Sequence, residues 1–501
     1  MLKISERDIV KRIRTENPWW SGTGSISLIH REYIPRPYLN LFLPLVRTPV
    51  RRAVVLMGPR RVGKTVMIHH AIQALLDQGV KPESICYFSV DNPIYKGLSL
   101  DKLLGYYAKA RGINHKTEQL YVFFDEIQYL RKWEVHLKSI VDTYPNIKCI
   151  ASGSAAAALR LKSSESGAGR FTDFLLPPLT FYEYLHLREK TVLLKTPATK
   201  EARRAGYFLA ENIQQVNELF VYYLNFGGYP EVIFSEEIKS DPSRFIKSDI
   251  IDKVLLRDLP SLYGIGDIQE LNYLFTTLAF NTANEISLGE LSQNSGIAKN
   301  TIKRYIEYLE AAFLIKVVHR VDRNAKRFHR ANYFKVYLTN PSMRAALFSP
   351  LKANDEAITS LAETAIYSQW FHSETPLYYA RWQGGEVDIV HLGPKQKPAW
   401  AVEVKWSDRY CDKPHELESL VTFCHSTGLK DILVTSKTKT VSCKVGGIAI
   451  PFIPASVYCY TVGYNIIHGR MNLPLTEQLE IETPTDQADS AQMSLPVPAA
   501  T

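Results

Sequence analysis

The stretch Gly58-Pro-Arg-Arg-Val-Gly-Lys-Thr65 constrains this chain more than any other. It satisfies the phosphate-loop pattern G-x-x-x-x-G-K-[ST] at every required position. The apolar run Ala53–Met57 before it reads as a buried parallel strand, and a helical stretch from Lys64 to Asp77 follows. Gly58 and Gly63 permit a tight turn. Pro59, Arg60, Arg61 and Val62 supply the backbone between them, so that successive N–H groups and a helix N-terminus face one anion. Lys64 is placed to reach β- and γ-phosphates, and Thr65 to hold Mg²⁺.

A second motif agrees with the first. Leu120–Phe124 is an apolar run that ends in Asp125-Glu126, 61 residues after Lys64. A buried strand of this kind delivers a carboxylate to its C-terminal end. Asp125 takes the Mg²⁺-shell role and Glu126 the role of polarising water against a γ-phosphate. Together the motifs predict Mg²⁺-dependent ATP hydrolysis.

The 501 residues leave room for about three domains. A formal charge of +9 permits nucleic-acid contact. Six scattered cysteines without a C-x-x-C pair read as reduced thiols in a cytosolic, cytoplasmic protein. The first residues carry no apolar signal core, and no apolar run approaches the ~18 residues of a membrane span.

Residues 1–30 read as a helical lead, with the Trp19-Trp20 pair as packing or as a partner contact. Arg31–Val46 is expected to be helical. Strands are expected at Ala53–Met57, Ile85–Val90, Leu120–Phe124, Ile147–Ala151 and Phe174–Leu176. Their alternation with helices implies a parallel sheet in a core over 31–185. Ser152-Gly-Ser154 ends the fourth strand, where Ser154 is a candidate sensor of γ-phosphate or a helix N-cap. Arg170, on a glycine-rich loop, is a candidate arginine finger in its own subunit or a neighbour's, with a surface arginine as the alternative.

The strings G-P-R-R-V-G-K-T, F-F-D-E-I-Q, S-G-S, G-R-F and L-P-P-L-T-F-Y-E-Y-L resemble the bacterial and archaeal AAA-type ATP-binding proteins with a C-terminal domain of unknown function. The resemblance continues through Gly227-Gly-Tyr-Pro-Glu231 and covers nearly the whole chain. It implies ATP and Mg²⁺ as ligands and permits a homo-oligomer. One departure is Leu338-Thr-Asn340-Pro-Ser, where the family often has Leu-Thr-Asp before a glycine.

Residues 186–283 read as a helical lid, in which Arg257-Asp258 is a solvated or interface pair. Residues 284–345 show helix, glycine turn, helix and strand, a winged-helix pattern. Within 296–335 stand ten basic against three acidic residues, a net +7, with Lys299, Lys303 and Arg304 on the second helix. DNA phosphate contact is the functional reading and a protein scaffold the bland one.

Residues 346–470 follow an α-β-β-β-α-β order that resembles restriction-endonuclease-like folds. Asp388, Glu403 and Lys405 match the D…E-x-K signature of those nucleases, and Glu363 their helix glutamate. Asp388 and Glu403 are the candidate ligands of a second divalent metal, with Lys405 beside the attacking water. Residues 471–501 read as a disordered tail. The expected fold is α/β: a P-loop AAA-type ATPase core, lid, winged helix and nuclease-like domain. The rival to ATP-controlled DNA cleavage is a nucleotide-dependent switch or scaffold whose last domain only binds.

Overall fold

The computed structural model describes residues 5–22, 24–153, 169–196, 208–327, 332–373 and 375–468. The expected tail lies outside them.

Five strands form the first sheet: β1 (Ala53–Met57), β2 (Ile85–Ser89), β3 (Leu120–Asp125), β4 (Ile147–Gly153) and β5 (Phe171–Leu175). All pairings are parallel, in the order β2-β3-β4-β1-β5. Apolar runs such as Ala53–Met57 are buried along their whole length because helices cover both faces. β5 starts three residues before its expected position, since Phe171 pairs with Ala53 despite the polar Thr172 and Asp173 between apolar neighbours.

The expected helix over 31–46 is broken. Helix α1 (Leu39–Arg47) forms only after Pro35 and Pro37, which hold Arg36 in irregular backbone. The tryptophans are packing residues: Trp19 and Trp20 indole N–H groups both donate to the Ile85 carbonyl, at 3.1 and 2.9 Å.

The second sheet has nine strands and joins two of the expected domains. Strand β6 (Glu285–Ser287) precedes helices α2 (Leu288–Ser295) and α3 (Lys299–Ala311), linked through Gly296 at φ +73°. Strands β7 (Ile315–Val321) and β8 (Tyr333–Leu338) then pair antiparallel, and β8 also pairs with β6. Helix α4 (Ile358–Ser368) leads to β9 (Leu377–Trp382), β10 (Gly385–Leu392) and β11 (Pro398–Glu403). Strands β12 (Ile432–Ser436), β13 (Val441–Val445) and β14 (Ile448–Pro454) complete the order β13-β14-β12-β11-β10-β9-β7-β8-β6. The seam is a parallel pairing of Tyr379 and Ala380 with Arg320 and Val321. Helix α5 (Ala455–Ile467) returns to the first unit, with Tyr460 and Tyr464 edge-on against Tyr182.

Candidate functional site: a phosphate loop and a second ionic cluster

The phosphate loop leaves β1 at Gly58, and its backbone admits no side chain there. A Cβ on Gly58 would lie 2.2 Å from the Leu176 carbonyl oxygen. Gly63 caps helix α6 (Lys64–Asp77) at φ +89°, a region that glycine occupies without strain. The loop carbonyls of Gly58 and Pro59 accept from Lys64 Nζ at 3.1 and 2.7 Å. Burial lowers the Lys64 pKa, against the pull of Glu126 and Asp125.

Asp125 ends β3 and collects three side-chain donors. Thr65 Oγ1 donates to Oδ2 at 2.7 Å and the Tyr87 hydroxyl to the same oxygen at 2.9 Å. Ser152 Oγ donates to Oδ1. Ser152 is delivered by β4, the strand lying between β1 and β3. Burial raises the Asp125 pKa, with the neighbouring Glu126 adding to the effect and the three donors opposing it. Glu126 sits in left-handed backbone at φ 53°, and its carboxylate accepts from Gln128. The hydroxyl of Thr65 and the carboxylate of Asp125 are hard oxygen donors at one point, a donor set that fits Mg²⁺.

Three arginines fasten the loop to its surroundings. Arg36 Nη1 donates to the carbonyls of Val62 and Pro177, at 2.7 and 3.0 Å. Its other nitrogens make a bidentate pair with the fully buried Glu183, at 2.8 and 2.7 Å. Arg60 makes a bidentate pair with Asp258, at 2.6 and 2.7 Å. Arg61 meets Glu231 at 2.9 Å and Asp249 at 3.2 Å. Of the two readings of Arg257-Asp258, solvated or interface, Asp258 takes the interface one, against the loop, while Arg257 is exposed. A cavity of about 150 Å³ opens beside Gly63, lined by Tyr33, Ile34, Met67, Pro230 and Phe234 among others.

Two candidates are not part of this point among the described residues. Ser154 lies outside the described residues. Arg170 stands at the opposite end of the sheet: its carbonyl accepts from the N–H of Ala53, the first residue of β1, and its guanidinium pairs with Asp142. Four strand residues separate Ala53 from Gly58, five steps or ~17 Å at 3.3 Å per residue, so Arg170 does not reach its own chain's phosphate site.

The C-terminal candidates do come together, around a residue assigned elsewhere by the sequence. Lys335 of β8, counted above among the DNA-facing basic residues, is buried. Its Nζ lies 2.6 Å from Glu386, 3.0 Å from Glu363 and 3.6 Å from Asp388. Lys405 Nζ lies 2.6 Å from Glu403 and 3.9 Å from Asp388. Asp388 Oδ2 also accepts from the Val404 N–H at 2.8 Å. Burial pushes the Glu363 pKa up to about 8, with Asp388 adding to it and Lys335 and Tyr337 opposing. Glu403 is raised for the same first reason. Among the described residues no three His, Cys, Asp or Glu side chains are grouped to hold a metal ion. The second divalent site expected at Asp388 and Glu403 is not shown: ammonium groups stand against these oxygens.

The basic segment shrinks for the same reason. Lys335 is interior, Arg320 meets Glu285 at 3.5 Å and Lys316 meets Glu310 at 3.0 Å. Arg330 lies outside the described residues. Lys299, Lys303 and Arg304 are exposed along α3.

Residues 50–185 match the family model described as an AAA domain, and residues 217–356 match a domain of unknown function (DUF8612). The chain carries an AAA-type ATPase-like domain. An uncharacterized protein of Methanocaldococcus jannaschii, MJ1544, is 26% identical over 350 residues, covering 68% of this chain and 73% of its own. An uncharacterized protein of Haemophilus influenzae is 21% identical over 388 residues, covering 76% and 88%. Among solved structures, a Walker-type ATPase of Pyrococcus abyssi aligns at TM-score 0.35 and 16% identity, over 62% of this chain and 94% of that one. Among the described residues no helix is long and apolar enough to cross a membrane.

Sequence reasoning missed four residues around the AAA-type site. Arg36, Tyr87 and Glu183 lie outside the phosphate-loop and Asp-Glu motifs, and Ser152 was passed over for Ser154. Glu183 had a visible signal as the fourth residue of the capping box Thr180-Phe-Tyr-Glu183.

Proposed function

We propose that this chain is an ATP-binding and ATP-hydrolysing protein. The observation that carries the reading is the convergence of Thr65, Ser152 and Tyr87 on the buried carboxylate of Asp125. Lys64 and the loop N–H groups bind the β- and γ-phosphates. Thr65 and Asp125 hold Mg²⁺, which neutralises phosphate charge when bound. Tyr87 and Ser152 orient Asp125. Glu126 takes the proton of the attacking water. The cavity beside Gly63 has the apolar walls and the size for a nucleobase.

Turnover measured with binding tests this reading. Lys64→Ala loses nucleotide affinity. Glu126→Gln keeps affinity and loses turnover by ~10²-fold or more, because phosphate and metal contacts persist without the base. Equal turnover in Glu126→Gln and wild type overturns the role of Glu126.

DNA association is the second part of the proposal, supported by the exposed Lys299, Lys303 and Arg304 on the second helix of a winged-helix-like unit. The last domain is read as nuclease-like in layout. Lys335, which is not part of the D…E-x-K signature, stands against Glu363 and Asp388 and favours binding without cleavage over ATP-regulated cleavage. The nucleotide-dependent switch is distinguished by tight nucleotide binding with very slow hydrolysis. A homo-oligomer is the setting in which Arg170 could serve a neighbour's site.

A further inference from the structure

The N-terminal end of the first sheet, opposite the phosphate loop, carries a separate concentration of charge. A cavity of about 170 Å³ opens there, between the segment that leads into β1 and the starts of β3 and β4. Arg47, Arg51, Arg52 and Lys148 line it, and among the described residues no carboxylate does. Arg47 closes α1, Arg51 and Arg52 precede β1, and Lys148 is the second residue of β4. Arg170, just before β5, stands beside them through the bond of its carbonyl to the Ala53 N–H.

Arginines held in place elsewhere, such as Arg36 and Arg60, meet carboxylates. Here two of the cations are fixed by carbonyls instead. Arg51 Nε donates to the Val141 carbonyl at 3.0 Å, and its Nη2 to that of Asp142. Lys148 Nζ donates at 3.2 Å to the Val50 carbonyl, which also accepts from the Arg52 N–H at 2.8 Å. A carbonyl orients a cation but leaves its charge uncompensated. Arg47, Arg52 and Lys148 make no ion pair with a described residue, and the nearby Asp142 carboxylate is taken by Arg170. Burial lowers the Lys148 pKa, with Cys149 opposing.

Four like charges around one cavity repel one another, and an anion seated among them relieves that repulsion. Its class follows from the donors. Three of the four are arginines, whose planar forks each take two oxygens of one phosphate. A single carboxylate, with one charge and two oxygens, leaves most of these donors unused. We propose that Arg47, Arg51, Arg52 and Lys148 form a binding site for phosphate groups, separate from the phosphate loop. The groups belong to a free oligophosphate or to a nucleic-acid backbone. The site depends neither on ATP hydrolysis nor on the DNA reading of α3.

Two probes test it on the full chain. Inorganic pyrophosphate is titrated calorimetrically into protein carrying Lys64→Ala, which silences the phosphate loop. A labelled duplex oligonucleotide is titrated by fluorescence anisotropy into protein carrying Lys299→Glu, Lys303→Glu and Arg304→Glu, which silences α3. Arg47→Ala/Arg52→Ala is added to each; Arg51 and Lys148 brace the turn and stay in place. The pair is expected to weaken pyrophosphate binding at least tenfold. A tenfold loss of oligonucleotide affinity, with a salt slope smaller by about 0.9 per lost contact, assigns the groups to nucleic acid. Loss with pyrophosphate alone assigns them to a free oligophosphate. A tenfold loss in neither titration overturns the proposal. So does an equal loss in Lys395→Ala/Lys397→Ala, which removes the same charge from the exposed turn before β11. Either failure leaves the ATPase reading in place, since that is judged by Glu126→Gln turnover.

Discussion

Arg36 and Glu183, 147 residues apart, meet in a bidentate ion pair with both side chains almost fully buried. The same guanidinium holds the Val62 carbonyl of the phosphate loop at 2.7 Å. The pair thus ties the chain entering the AAA-type domain to the helix leaving it, with the loop between them.

Removing one partner leaves a buried charge. Arg36→Met or Glu183→Leu alone is expected to destabilise the protein by about 3–5 kcal/mol. The double substitution should cost less than the two single ones together, because no lone charge remains. Denaturant melts of the three variants measure this; strict additivity would show that the pair carries no coupling.

Arg60 and Asp258 make the comparable tie from the loop to the turn before Leu259–Tyr263, at 2.6 and 2.7 Å, but at partly exposed side chains. A phosphate bound in the loop is expected to draw on the same guanidinium that Asp258 holds. Asp258→Ala is expected to tighten ATP binding severalfold, and Arg60→Ala/Asp258→Ala to lose that gain. A fluorescent-nucleotide titration decides it, and unchanged affinity in Asp258→Ala would remove the competition.

His69, on the helix after the loop, is buried among His30, Trp19 and Tyr87 with His70 beside it. Burial lowers its pKa from the ordinary 6.5 to about 3, with His30 and His70 adding to the effect. The unfolded chain therefore binds a proton that the folded one refuses. This contribution is intact above pH ~6.5 and is lost as pH falls toward 3, at no more than about 1.4 kcal/mol per pH unit. His69→Phe should flatten the fall of stability between pH 6.5 and 4. An identical acid profile in the variant would refute it.

On α3, Lys299, Lys303 and Arg304 are exposed. Reversal of all three to Glu is expected to weaken duplex DNA binding at low salt and to lower the slope of log affinity against log salt by about 0.9 per lost phosphate contact. Unchanged affinity would assign the unit to scaffolding.

The local signals of the sequence were reliable wherever neighbours in the chain decide the outcome. The glycine turn, Lys64, Thr65 and the strand ending in Asp125 are all set by adjacent residues, so the loop, β1 and β3 stood at their expected places. Boundaries moved where a local rule was overlooked, as at Pro35 and Pro37 before α1.

What only the tertiary structure decided is which charge meets which. Lys335 lies within a basic run, and nothing adjacent to it announces burial; the parallel seam between β7 and β9 carries it to Glu363 and Asp388. Arg170 sits on a glycine-rich segment that invites a catalytic role, but the strand it precedes points its other end at the phosphates. Asp258 and Glu183 find Arg60 and Arg36 across 198 and 147 residues. A sequence fixes the period and direction of each element through short-range sterics and hydrogen bonding. The partner of a buried charge follows from how whole sheets and helices stack, because only desolvation makes that partner necessary.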